Sequence, residues 1–172
     1  MSMLEGVFNL VHRAFPAKVA YAHCDIPCGI YDPHMAQLAA LTVVRMNQLI
    51  NDLKPSVPEP ALEERKTIIA AVSRYTAVKE EHAEACKREL RILWGDYFRP
   101  EHIQQHPDLN AKLLAAMKLA SAARQKNDLD AAQKLLAATQ EIAEIFWKTK
   151  GAKPVRQPSR QGAVGGELVY PS

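Results

Sequence analysis

Glycine is scarce in this chain, with 7 in 172 residues, and β-branched residues seldom run together. Extended sheets draw on both, so their shortage leans the reading toward an all-α fold. No apolar run approaches the ~18 residues of a membrane-spanning helix, which argues against a membrane partner. Charge of one sign is lacking too. The 22 Lys and Arg against 19 Asp and Glu leave a net charge of +3. No stripe of basic and aromatic residues is present, which argues against nucleic acid, while the mild excess of positive charge suits a small anion. Cysteine is limited to 3 residues. An odd count argues against a disulfide framework and for a reduced compartment or a metal role.

What is present is enough for one domain: 48% of residues are hydrophobic, an ordinary share for a globular core. Prolines divide the chain, because proline is tolerated in a helix's first turn and breaks its interior. Asp32-Pro33 suits a cap and first turn, and Met35, Leu38, Thr42, Met46, Leu49 and Leu53 follow at helical spacing. "KPSVPEP" (54–60) is a linker. A second helix is expected from Pro60 to about Asp96, with Ile68, Val72, Tyr75, Cys86 and Leu93 inward. "FRPEHIQQHPD" (98–108) reads as a connector, and a third helix follows to about 125. "KNDLD" (126–130) caps a fourth, with Leu135, Leu136, Ile142, Ile145 and Phe146 inside. Four helices with short joins predict an antiparallel four-helix bundle. From 151 to 172 glycine, proline, glutamine and serine dominate, and composition predicts a disordered tail.

The N-terminus sets a different problem. "AYA" (20–22) resembles the small-residue box of an export signal, but Glu5 stands where a basic start belongs, and His12, Arg13 and Lys18 interrupt any apolar core. A removable, non-secretory leader over 1–22 is the better reading, and it points to the cytoplasm. Directly after it comes "HCDIPCGIYDP" (23–33). Cys24 and Cys28 could close a small strained disulfide, act as a redox pair, or give half a zinc site; a structural zinc site wants four ligands. A chain beginning at His23 would offer more: a free α-amine, an imidazole, the amide nitrogen of Cys24, and two thiolates. Two nitrogens and two sulfurs in a plane suit Ni(II) or Cu(II) better than tetrahedral zinc. Pro27 stiffens the turn, Gly29 permits a positive φ, and Asp25 is a turn-forming residue. An acylated His23 has no such amine, so the leader must come off. Cys86, alone in the second helix, reads as a small buried hydrophobe.

This stretch resembles the N-terminal hook of the nickel-containing superoxide dismutases, His-Cys-Asp-x-Pro-Cys-Gly-x-Tyr. His23, Cys24, Asp25, Pro27, Cys28, Gly29 and Tyr31 match each fixed position. "LWGDYF" (93–98) and "IFWKTK" (145–150) resemble two further blocks of that family, so the likeness runs over about 23–150. It implies a homohexamer of four-helix bundles with one nickel ion per subunit, converting superoxide to dioxygen and hydrogen peroxide by Ni(II)/Ni(III) cycling. It implies His23, Cys24 and Cys28 as metal ligands, His23 as the axial imidazole of the oxidised state, and Tyr31 facing the vacant axial side. Asp25, Pro27 and Tyr97 would stand close behind. A peptidase that removes the leader is implied as a partner.

There are departures. The glutamate and arginine that hold the axial imidazole in some members correspond to Ala39 and His82, which makes His82 a candidate substitute or simply a polar helix residue. His34, His102 and His106 read as exposed loop or helix-end residues, and Trp94 and Trp147 as core or subunit-contact aromatics. A non-catalytic nickel or copper carrier would use the same hook, and an interaction module with a redox-labile Cys24–Cys28 pair is the third reading.

Overall fold

Asp32 and Pro33 begin the first helix as their chemistry suggests: the Asp32 carboxylate accepts the His34 N–H at 2.7 Å, and the Pro33 carbonyl accepts the Gln37 N–H at 3.2 Å. The structure, a computed structural model, describes residues 29–172, of which Tyr31–Ser172 form one compact unit. Helix α1 spans His34–Asp52. Its buried face is not the stripe read from the large side chains. Ala36, Gln37, Ala39, Ala40, Val43, Val44 and Asn47 point inward, and Met35 is exposed. Small residues let the helix axis approach its neighbours closely, so the buried face combines the alanines with Leu41, Val43 and Val44 and leaves Met35 to solvent.

Helix α2 runs Leu62–Ile92 and passes into a π-helical segment, Leu93–Tyr97. The Phe98 N–H reaches back five residues to the Leu93 carbonyl at 2.9 Å, the bond that defines such a turn. The expected connector contains a short helix, α3, over Pro100–Gln105, with Pro100 in its first turn. Helix α4 covers Leu109–Gln125 and α5 Leu129–Thr149. The Asp128 carboxylate accepts the Ala131 N–H at 3.0 Å and caps α5, as its place in "KNDLD" implies. The four long helices make the predicted bundle in the ring order α1, α2, α4, α5.

Side-chain ties fix the directions. At one end Trp94 donates to Asn110 at 2.9 Å; at the other, the buried Lys79 donates to the Lys126 carbonyl at 2.6 Å. Helices α2 and α4 are therefore antiparallel, and residues 62–78 of α2 extend beyond the end of α4. No residue in that stretch is buried, and Leu62 and Ile69 are exposed.

Residues 151–172 are ordered, which corrects the expectation of a disordered tail. Strands β1 (Pro154–Pro158) and β2 (Glu167–Pro171) pair antiparallel, with Arg156 opposite Val169. Composition misled because the glycines are turn residues here. Gly166 has a φ of +76°, and a Cβ at that position would lie 3.3 Å from the Leu41 side chain, so the hairpin closes onto α1 only with glycine there. Leu168 and Val169 are buried in the bundle. The Gln37 amide, wholly buried on α1, receives the Val169 N–H at 2.7 Å and donates to the Val169 carbonyl at 3.0 Å. On α5, Gln140 donates to the Glu167 carbonyl at 2.6 Å.

Replacing Gln37 by Leu strands two buried backbone groups, each worth about 1–3 kcal/mol when left unpaired. The variant is expected to lose stability on that scale in urea titrations, whereas Met35→Gln, on the exposed side of the same turn, should unfold with the native protein.

Candidate functional site

The blocks at 93–98 and 145–150, which lie 52 residues apart in sequence, meet at one aromatic ring. Tyr97 stands at the end of the π segment, where the extra residue per turn shifts its side chain relative to the regular helix. Its ring lies 4.5 Å between centroids from Phe146 and 5.1 Å from Phe98. Its hydroxyl oxygen is 2.7 Å from the Thr149 hydroxyl. The Lys150 ammonium sits 5.0 Å over the same ring, a cation on a π face.

Tyr31, just ahead of α1, completes the cluster, its ring 5.6 Å from that of Tyr97 at a tilt of 51°. The start of α1, the end of α2 and the end of α5 thus share one end of the bundle. Gly29, two residues before Tyr31, has a φ of +71°. No atom would crowd a Cβ there, so it is backbone conformation and not space that favours glycine.

Tyr31 and Tyr97 are the two predicted site residues that the structure brings together. His23, Cys24, Asp25, Pro27 and Cys28 lie outside the described residues. His82 is half-buried, and its Nδ1–H donates to the Val78 carbonyl on its own helix at 3.0 Å. It stands 15 residues before Tyr97 on the continuous α2–π rod, which at ~1.5 Å per residue puts them roughly 20 Å apart along the axis. Ala39 is buried in the core face of α1.

The sequence reading missed His102. It is half-buried on α3, not exposed, and stacks on Tyr97 at 5.5 Å and 24°. The signal was its place three residues after Arg99 in a proline-started turn, a turn read as a connector. His34 is likewise half-buried, against Tyr170 of the hairpin at 5.5 Å. Thr149 and Lys150 were within reach of the "IFWKTK" motif, but spacing alone does not show which face of α5 meets Tyr97. Trp147 is half-buried and packs edge-on against Phe146 at 5.0 Å.

No group of three or more His, Cys, Asp or Glu side chains among the described residues is placed to hold a metal ion. Cys86 is wholly buried, its Sγ 3.7 Å from the Thr139 hydroxyl, and burial pushes its thiol up to about 12. It is the inert core residue the sequence suggested. No helix among the described residues is long and apolar enough to cross a membrane.

The sequence pattern of the family described as nickel-containing superoxide dismutase matches residues 18–150. Curated relatives named superoxide dismutase [Ni] include one from Streptomyces coelicolor, 35% identical over 144 residues, covering 83% of this chain and 100% of the relative. A second, from Streptomyces seoulensis, is 35% identical over 147 residues with the same coverage. Among solved structures, a native nickel superoxide dismutase shares 34% identity with a TM-score of 0.63, covering 74% of this chain and 99% of that one. Another, with nickel ligated as in the oxidised state, shares 35% identity with a TM-score of 0.65, covering 76% and 100%.

In a Cys24→Ser, Cys28→Ser background, a thiol reagent at pH 8 is expected to leave Cys86 unlabelled in the folded chain and to label it fully in guanidinium. Rapid labelling without denaturant would contradict the burial.

Proposed function

The chain belongs to the nickel-containing superoxide dismutase family and converts superoxide to dioxygen and hydrogen peroxide with nickel; we propose that residues 23–28, released at their N-terminus, hold the ion. The observation that carries this reading is the contact of Tyr31, last fixed residue of the hook pattern, with Tyr97 of the second block at 5.6 Å. It supports a shared role for Tyr31 and Tyr97 in the reaction. The donor chemistry fits nickel: nitrogen and thiolate donors this close in sequence would suit Ni(II). His23 would give its α-amine and imidazole, Cys24 its amide nitrogen and sulfur, and Cys28 its sulfur. Bound there, nickel supplies a one-electron acceptor for one superoxide and a one-electron donor for the next.

The protein's part is to arrange what surrounds that exchange. Two superoxide anions and two protons give one dioxygen and one hydrogen peroxide, so the site must admit a small anion and deliver protons. Lys150, over the Tyr97 ring, adds a positive charge beside the two tyrosines, which would favour a small anion. Tyr31 and Tyr97 bring two phenols into one cluster with His102, Thr149 and Lys150, groups that would order water and screen what approaches the ion. Asp25 and Pro27 would fix the turn between the two cysteines. With Ala39 and His82 at the positions of the family's glutamate and arginine, His82 would be the candidate partner of the His23 imidazole.

Residues 1–22 act as a leader, because the α-amine of His23 exists only after the bond to Ala22 is cut; a maturation peptidase is the partner this requires. A homohexamer is supported by the part of α2 that extends past α4, where Leu62 and Ile69 remain exposed and would be covered by another copy. A cytoplasmic site of action is supported by Glu5, His12, Arg13 and Lys18 in the leader, which break the pattern of an export signal.

The decisive experiment compares nickel-loaded protein beginning at His23 with the uncut chain and with Cys28→Ser. Superoxide consumption is expected only from the first. Equal rates in all three would overturn the assignment of the hook; nickel uptake by the trimmed chain without superoxide consumption would make it a carrier.

A further inference from the structure

Around Tyr97 the hydroxyl protons can be counted, and the count fixes the direction of its own. A threonine hydroxyl carries one proton. The Thr149 oxygen lies 2.7 Å from the Phe146 carbonyl oxygen, one turn back on α5. A carbonyl cannot donate, so the Thr149 proton is committed to that bond. The Tyr97 oxygen lies 2.7 Å from the same Thr149 oxygen. The donor in this second bond must therefore be the phenol. Once its proton is used, the Tyr97 oxygen keeps only lone pairs for any further partner.

The ring is held in that orientation from several sides. Phe146 lies at 4.5 Å, His102 stacks at 5.5 Å and the Lys150 ammonium stands at 5.0 Å. Turning the hydroxyl toward another acceptor would break the bond to Thr149 and leave the threonine oxygen with one partner fewer in a half-buried position.

We propose that Thr149 is a positioning residue for the superoxide reaction: by accepting the Tyr97 proton, it makes Tyr97 a hydrogen-bond acceptor at the site. An acceptor holds species that carry an O–H, namely water and hydrogen peroxide, and gives nothing to superoxide, which has no proton to offer. Tyr97 then orders the water or product beside the ion, and the protons that complete peroxide come from another group. This inference rests on the reading that Tyr97 borders the nickel site.

Thr149→Val keeps the shape of the side chain and removes its hydroxyl; Thr149→Ser keeps the hydroxyl. The first measurement uses the full nickel-free chain with labelled tyrosine and follows by NMR the exchange of the Tyr97 hydroxyl proton with water, assigned by its loss in Tyr97→Phe. Exchange is expected to be slow in the native chain and in Thr149→Ser, and at least about tenfold faster in Thr149→Val, as for an opened hydrogen bond. Unchanged exchange in Thr149→Val would overturn the proposal.

The second measurement is superoxide consumption by nickel-loaded protein beginning at His23. Thr149→Val should be slower by about fivefold, the equivalent of one ordinary hydrogen bond, and Thr149→Ser should restore the rate. Altered exchange with an unaltered rate would overturn the tie to the reaction. Inactivity of the native trimmed protein would overturn the hook assignment, while the exchange data would still decide what Thr149 does to Tyr97.

Discussion

Tyr97 joins three parts of the chain, its own π turn included, through one side chain, and the arrangement of the bundle end depends on it. Its ring packs on Phe146 of α5 and against Tyr31 ahead of α1, and its hydroxyl ends on Thr149. An aromatic pair contributes on the order of 0.5–1.5 kcal/mol beyond its burial, and the hydrogen bond about 1 kcal/mol. Neither is large beside the core. Their importance is positional, because they hold at one point the chain that follows the hook, the π turn of α2 and the end of α5. The π segment is part of the same device. A regular helix continued from Ile92 would present Tyr97 at a different angle, and the bond from Phe98 to the Leu93 carbonyl is what redirects it.

The bundle itself was legible because its signals are local. Prolines, the Asp32 and Asp128 caps and a 3.6-residue period each depend on a few neighbouring residues, and helix limits came out within a few positions. The identity of the inward face of α1 was not legible. Size suggested Met35 and Leu38, but the helix packs through Ala36, Ala39 and Ala40, a choice set by how closely its partners approach. Of the candidate site, Tyr31 and Tyr97 could be named from resemblance alone. His102, Thr149 and Lys150 could not be grouped with them, since the fold, through the turn of α3 and the end of α5, brings them together.

The C-terminal hairpin failed as a prediction for an instructive reason. Glycine and proline were counted as signs of disorder, yet each has a positional use here. The prolines bound β1, whose outer edge they blunt against pairing with other chains. The glycines supply the turn, and three residues, Leu168, Val169 and Tyr170, supply the anchor. Nothing in the sequence marks Gln37 as the receptor for Val169, because a glutamine on a helix is ordinarily a solvent residue. The family match ends at residue 150, so the hairpin lies outside the matched residues. It seals the start of α1, within a few residues of Tyr31, by bonds from Gln37 and the contact of Tyr170 with His34.

The three cysteines divide along a physical line. Cys86 sits where burial drives its thiol toward the neutral form, which makes it a poor ligand and a poor nucleophile. The interior of a four-helix bundle would impose the same penalty on any thiolate placed in it. Donors at a chain terminus would escape that penalty, with a backbone amine and amide to add to the set. The bundle holds what a short segment could not: packed aromatic rings, the Lys150 ammonium over Tyr97, and a Tyr97 hydroxyl bonded to Thr149. On this view the leader and the buried cysteine answer one requirement from two sides. Burial withholds the Cys86 thiol, and an uncut peptide bond at His23 would withhold the amine.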